Sequence, residues 1–99
     1  MRKVVFSKSA SYGIDELLHY LESEWSVKVK QNFIQKLDNA VLQICKYPLS
    51  AEKSNLKSGL HRLVITKQTT LYYTHNEERV FIVAIFDTRQ NPNKLKIKK

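Results

Sequence analysis

The chain has 99 residues, 42% of them hydrophobic, which is enough to bury one core and hardly two. No apolar run approaches the ~20 residues of a membrane helix, and the basic N-terminus lacks a signal-peptide core. The lone Cys45 excludes an internal disulfide, and with His19, His61 and His75 scattered there is no zinc set, so a cytoplasmic protein with no metal or cofactor is expected.

Arg2 to Ser7 (RKVVFS) reads as a short strand, rich in β-branched and aromatic residues. Ser9 or Ser11 can cap the helix that follows, and Asp15 and Glu16 near its start complement the helix dipole. Ile14, Leu17, Leu18, Leu21 and Trp25 recur at helical spacing and predict one apolar face. Ser26 is the candidate cap of a second helix, whose apolar positions are Val29, Phe33, Leu37, Ala40, Val41 and Ile44. Cys45 falls in this pattern as a buried free thiol. Tyr47-Pro48 stops the helix. With only SEWS between them, the two helices must fold back as a hairpin.

Leu49 to Gly59 has no periodicity and predicts a polar loop. Three short strands follow, Leu60 to Thr66, Thr69 to Thr74 and Arg79 to Asp87, joined by connections short enough for antiparallel hairpins. VFIVAIF is apolar at both parities, as a strand covered on both faces would be. The order is β-α-α-β-β-β. It predicts an α+β fold in which an antiparallel sheet packs against the N-terminal helical hairpin. The whole of 1–99 reads as one domain, with 92–99 a basic C-terminal tail.

The formal charge is +8, and its distribution says more than its sum. Residues 1–52 carry seven basic and six acidic side chains, whereas residues 53–99 carry ten and three. An excess concentrated in one half points to a polyanionic partner, either nucleic acid or an acidic protein. Two glycines cannot build a phosphate-cradling loop, and no Ser/His/Asp or Cys/His set can be assembled. What remains is basic. If the last strand stays regular, Phe81, Val83, Ile85, Asp87 and Arg89 share a face, and Arg89 emerges where the sheet leaves the core. A guanidinium there can grip phosphate with a fork that lysine lacks. Arg62 shares its side of the first hairpin strand with Leu60, Val64 and Thr66, and either binds phosphate too or pairs with a carboxylate such as Asp87. Lys53, Lys57, Lys67, Lys94 and Lys96 can extend the cationic surface along a nucleic-acid backbone. Tyr72 and Tyr73 alternate faces, so one is expected in the core.

VVFSKSA, LLHYLESEWS, the YP that closes the second helix, HRLVI…LYY and the ending VAIFDTRQNP together resemble the RelE/ParE-superfamily toxins of bacterial type II toxin–antitoxin systems. The resemblance runs nearly end to end, and FDTRQNP resembles the plasmid-stabilisation version. It implies the β-α-α-β-β-β fold, a cognate acidic antitoxin as partner, and one of two actions. RelE-like members cleave ribosome-bound mRNA without a metal, and ParE-like members poison DNA gyrase with no nuclease activity. On the RelE pattern Arg89 and Arg62 occupy the catalytic arginine positions and Lys53 and Lys57 the basic loop positions. The chain departs from that pattern after Arg89, where no tyrosine or histidine follows; His61 or Tyr73 would have to move the proton. Ribosome-dependent mRNA cleavage is the first expectation because that activity is common in the superfamily. Gyrase inhibition is the alternative, a toxin-like protein that only binds its partner is a third reading, and a homodimer is left open.

Overall fold

The computed structural model describes residues 1–90. Among them the elements run β1 (Lys3–Phe6), α1 (Lys8–Glu24), α2 (Val27–Lys46), β2 (Glu52–Lys53), β3 (His61–Val64), β4 (Thr69–His75) and β5 (Arg79–Asp87). The expected α+β architecture and element order are present, with one strand added: β2 forms inside the segment expected to be an irregular loop. The sheet order is β1-β5-β4-β3-β2. Every hairpin-connected pair is antiparallel, but β1 runs parallel to β5, so the sheet is mixed. Parallel pairing needs a long crossover, and the helical hairpin with β2 to β4 supplies one.

Ser7, and not Ser9 or Ser11, caps α1. Its hydroxyl accepts from the Ala10 N–H at 2.9 Å and donates to the Val83 carbonyl at 2.9 Å, while its own N–H donates to Ile82 O at 3.0 Å. One residue thus ends β1, opens α1 and ties both to β5. Ser26 caps α2 as expected, accepting from Val29 at 3.1 Å. Trp25, read as the last residue of the buried stripe, is instead the C-cap of α1 and 56% exposed.

Both helices cover one face of the sheet. Leu17 and Leu21 of α1 and Phe33, Leu37, Ile44 and Cys45 of α2 pack on Leu71, Tyr73, Val80 and Ile82. Each large apolar side chain so buried contributes about 1.5–3 kcal/mol. At Gly13 an added Cβ would stand 3.2 Å from Ile85 Cγ2, so the missing side chain lets α1 lie close against β5.

A bulge changes how β5 presents its side chains. Tyr73 pairs with Ile82 and Tyr72 with Ala84, which leaves Val83 as the extra residue. Before it, Val80 and Ile82 face the helices; after it, Ile85 and Asp87 do. The regular strand expected from alternation therefore does not exist, and Phe81 lies on the opposite face from Asp87. An extra residue in one strand reverses the parity beyond it.

Candidate functional site

At the end of β5 the chain makes a turn that is closed by one carboxylate. Asp87 is 2% exposed and opposite Thr69 in the sheet. Its Oδ1 accepts the Arg89 backbone N–H at 2.8 Å and Arg89 Nε at 3.0 Å, and its Oδ2 accepts Arg89 Nη2 at 2.7 Å and the Thr69 hydroxyl. The fork grips both oxygens, the strong bidentate form of the ion pair. Burial by itself would raise the Asp87 carboxyl. The Arg89 guanidinium, the Thr69 hydroxyl and the Arg89 N–H outweigh it and hold the group below the usual carboxylate range. Asp87 in turn raises Arg89. The Trp25 ring lies 5.8 Å from the guanidinium carbon, and the Tyr20 hydroxyl donates to Arg89 O at 3.1 Å. Arg89 is therefore committed to Asp87 on one side and to α1 on the other.

Arg62 stands elsewhere. It pairs across the sheet with Tyr72, whose neighbours Leu71 and Tyr73 face the helical core, so Arg62 occupies the opposite, helix-free face. Its Nη1 donates to Glu52 Oε1 of β2, not to Asp87. Arg62 is half-buried and Glu52 exposed, so solvent screens the pair and it contributes about 0–1 kcal/mol. The two candidate arginines do not converge. Lys53, Lys57 and Lys67 are all exposed, in β2, the following loop and the β3–β4 turn; Lys94 and Lys96 lie outside the described residues.

The candidate acid–base residues sit in neither place. Tyr73 is fully buried, and its hydroxyl donates to the Pro48 carbonyl at 2.6 Å. Burial raises its pKa, opposed in part by a backbone hydrogen bond from Ala51. His61, 5% exposed, stacks on Tyr73 with centroids 5.1 Å apart, and its Nδ1 lies 3.2 Å from the Ala51 carbonyl, which fixes the proton on that nitrogen. Together they pin the segment after α2 onto the sheet. Tyr73→Phe should leave the buried Pro48 carbonyl without its partner and cost about 1–2 kcal/mol, read as a lowered denaturation midpoint at unchanged slope.

Sequence reasoning singled out Asp87 and Arg89 as neighbours on one face, but it missed Thr69, Tyr20, Trp25 and Glu52. Thr69 and Glu52 become legible only once strand register is known. Trp25 carried a helical signal that concealed its role as a cap.

The model of the ParE toxin of the type II toxin–antitoxin system parDE matches residues 4–92. No curated protein matches significantly by sequence. Among solved structures, a chain of the chromosomal ParDE toxin–antitoxin system of P. aeruginosa superposes with a TM-score of 0.71 at 13% identity, over 88% of this chain and 96% of that one. The YoeB/ParE toxin of Agrobacterium tumefaciens gives 0.62 at 14%, over 86% and 97%. A free-state double mutant of the E. coli toxin RelE gives 0.60 at 12%, over 92% and 87%. At such identities these neighbours establish the fold alone.

Proposed function

The chain belongs to the ParE toxin family of type II toxin–antitoxin systems, and from that premise we propose that it arrests bacterial growth by binding DNA gyrase. A cognate acidic antitoxin holds it in check. The observation that carries the choice of gyrase over RNA is the state of the two arginines. Metal-free cleavage of RNA needs a guanidinium free to meet the developing phosphorane charge and an acid or base within hydrogen-bond reach. Arg89 spends its fork and its backbone N–H on Asp87, Arg62 lies on the other face beside Glu52, and His61 and Tyr73 are shielded by packing. A toxin that acts by binding needs none of these groups in solvent.

The antitoxin is drawn by the same charge that would attract RNA. β1 lies at the edge of the sheet, with Val5 39% and Phe6 38% exposed, so it can take both the main chain and the apolar side chains of an added strand. Cleavage of ribosome-bound mRNA is the second reading, favoured by the exposed Lys53, Lys57 and Lys67.

Purified full-length chain added to gyrase and supercoiled plasmid is expected to trap cleaved gyrase–DNA complexes. Mapping mRNA 5′ ends after induction is expected to show no new codon-positioned ends. New ends without trapped complexes would reinstate the interferase; neither signal would leave a chain that only binds its partner.

A further inference from the structure

The corner where α2 ends has features that neither the arginines nor the family assignment explain. Tyr47, Pro48, Leu49 and Ser50 line a cavity of about 520 Å³ together with Arg2, Lys46 and His75. Tyr47 is 66% and Leu49 74% exposed, so two large apolar side chains stand in water side by side. Surfaces of this kind mark interaction sites when charged groups rim them.

The corner is also held in shape. Pro48 O takes the Tyr73 hydroxyl at 2.6 Å, Ala51 O takes His61 Nδ1 at 3.2 Å, and Ser50 N–H closes a turn on Tyr47 O at 2.9 Å. The segment Tyr47–Ala51 therefore does not have to be ordered when something docks on it, which removes part of the usual entropic cost of binding.

Its charge has one sign. Three cationic or protonatable groups, Arg2, Lys46 and His75, line the cavity, and no carboxylate does. Glu77 and Glu78 line the adjoining depression on the far side of Arg2 and Lys46. His75 lies 5.3 Å from His61, centroid to centroid, and 6.5 Å from Tyr73.

We propose that this corner is a docking site for a short acidic peptide segment carrying an apolar side chain, with the apolar group between Tyr47 and Leu49 and its carboxylates on Arg2, Lys46 and His75. The occupant follows from complementarity: an apolar floor, a one-signed rim and a pinned backbone suit an anionic chain with one apolar anchor. The site shares no residue with the Arg89 latch or with Arg62, so it does not depend on whether gyrase or RNA is the target. It also carries a proton linkage. Burial, then His61 and Arg2, push the His75 imidazole below its ordinary value, so it is neutral in the free chain near neutral pH. A carboxylate seated beside it favours the imidazolium, so docking takes up a proton and tightens as pH falls. The groups that face His75 are His61 from β3, Tyr73 from β4 itself, Arg2 before β1 and Lys46 from the end of α2.

The test uses the full chain with a fluorescein-labelled peptide that alternates glutamate and leucine, its glutamine isostere, and labelled oligouridylate. Fluorescence anisotropy is expected to show binding of the acidic peptide over its glutamine isostere, stronger near pH 6 than near pH 8, with chemical shifts placing any oligouridylate outside this corner. Leu49→Ser and Tyr47→Ser remove exposed groups and leave the fold intact, and each should weaken binding about tenfold. Amide chemical shifts should move at Arg2, at Tyr47, Leu49 and Ser50, and at His75. Equal binding of the glutamine peptide, stronger binding of oligouridylate at these residues, or shifts confined to other elements would each overturn the assignment.

Discussion

Asp87→Ala is expected to cost about 3–5 kcal/mol of folding stability, because it breaks a buried, bidentate ion pair. For a domain of this size that is a large part of the total, and at roughly 4–8 °C per kcal/mol it should lower the melting temperature by about 12–40 °C. The reason is asymmetry. In the wild type a carboxylate with no exposed side-chain surface meets an arginine whose side chain is 17% exposed, and every oxygen is satisfied. Without Asp87 the guanidinium remains half-sequestered under Trp25 with nothing to neutralise it. Arg89→Ala should be comparably harmful, because it strands a buried carboxylate. The double variant Asp87→Asn with Arg89→Met should cost less than the sum, and a double-mutant cycle reads the difference.

The same pair sets an acid limit. The folded chain holds the Asp87 carboxyl below the value of about 3.9 that it takes when unfolded. The unfolded chain therefore binds that proton first. The stabilisation is complete above the unfolded value and is lost as pH falls through the lower, folded one. Urea midpoints measured from pH 6 downward should fall more steeply for wild type than for Asp87→Asn. Parallel curves would show that the latch is not what titrates.

These costs bear on function. Loss of growth arrest in Arg89→Ala would be expected from unfolding alone, so it cannot identify a catalytic arginine unless stability is measured alongside. Arg62→Ala is the cleaner probe of RNA cleavage, since its solvent-screened pair with Glu52 contributes little to stability. With gyrase as the target and the helix-free face uninvolved, this variant should arrest growth as the wild type does.

The second large effect lies in the apolar core. Ile82→Ala should destabilise by about 2–5 kcal/mol, because the side chain is fully buried where β5 meets β1 and the helices, and its loss leaves a cavity. Val64→Ala, on the open face and 53% exposed, should fall within about 0.5 kcal/mol of wild type. Chemical denaturation of both variants checks the contrast. Near-equal losses would mean that the assignment of sheet faces is wrong.

That contrast shows where one-dimensional reading stops. Leu17, Leu21, Phe33, Leu37 and Ile44 were all legible as core because helical spacing is a local property, and Ser26 and Tyr47-Pro48 marked helix ends by chemistry that acts over a few residues. Alternation is equally local, so it placed His61 opposite Arg62 correctly. It failed in β5, because a bulge at Val83 depends on the partner strand, and one extra residue reverses every face beyond it. The edge strand β2 was invisible for the same reason: Glu52 and Lys53 have no strand pattern and are extended only because β3 pairs with them.

The site divides along the same line. Local sequence determined that a carboxylate and a guanidinium two residues apart end the last strand, that the second half of the chain is strongly cationic, and that neither tyrosine nor histidine stands between Arg89 and Lys99. Those facts, with the ordered motifs, were enough to point to the superfamily. Only the tertiary structure decided which charges meet. Asp87 closes on Arg89 because the bulge turns it toward Thr69, Arg62 goes to Glu52 because β2 lies beside β3, and Trp25 reaches the guanidinium because α1 ends over the end of β5. Electrostatic pairing depends on separation in space, and between residues distant in the chain that separation is set by register and packing.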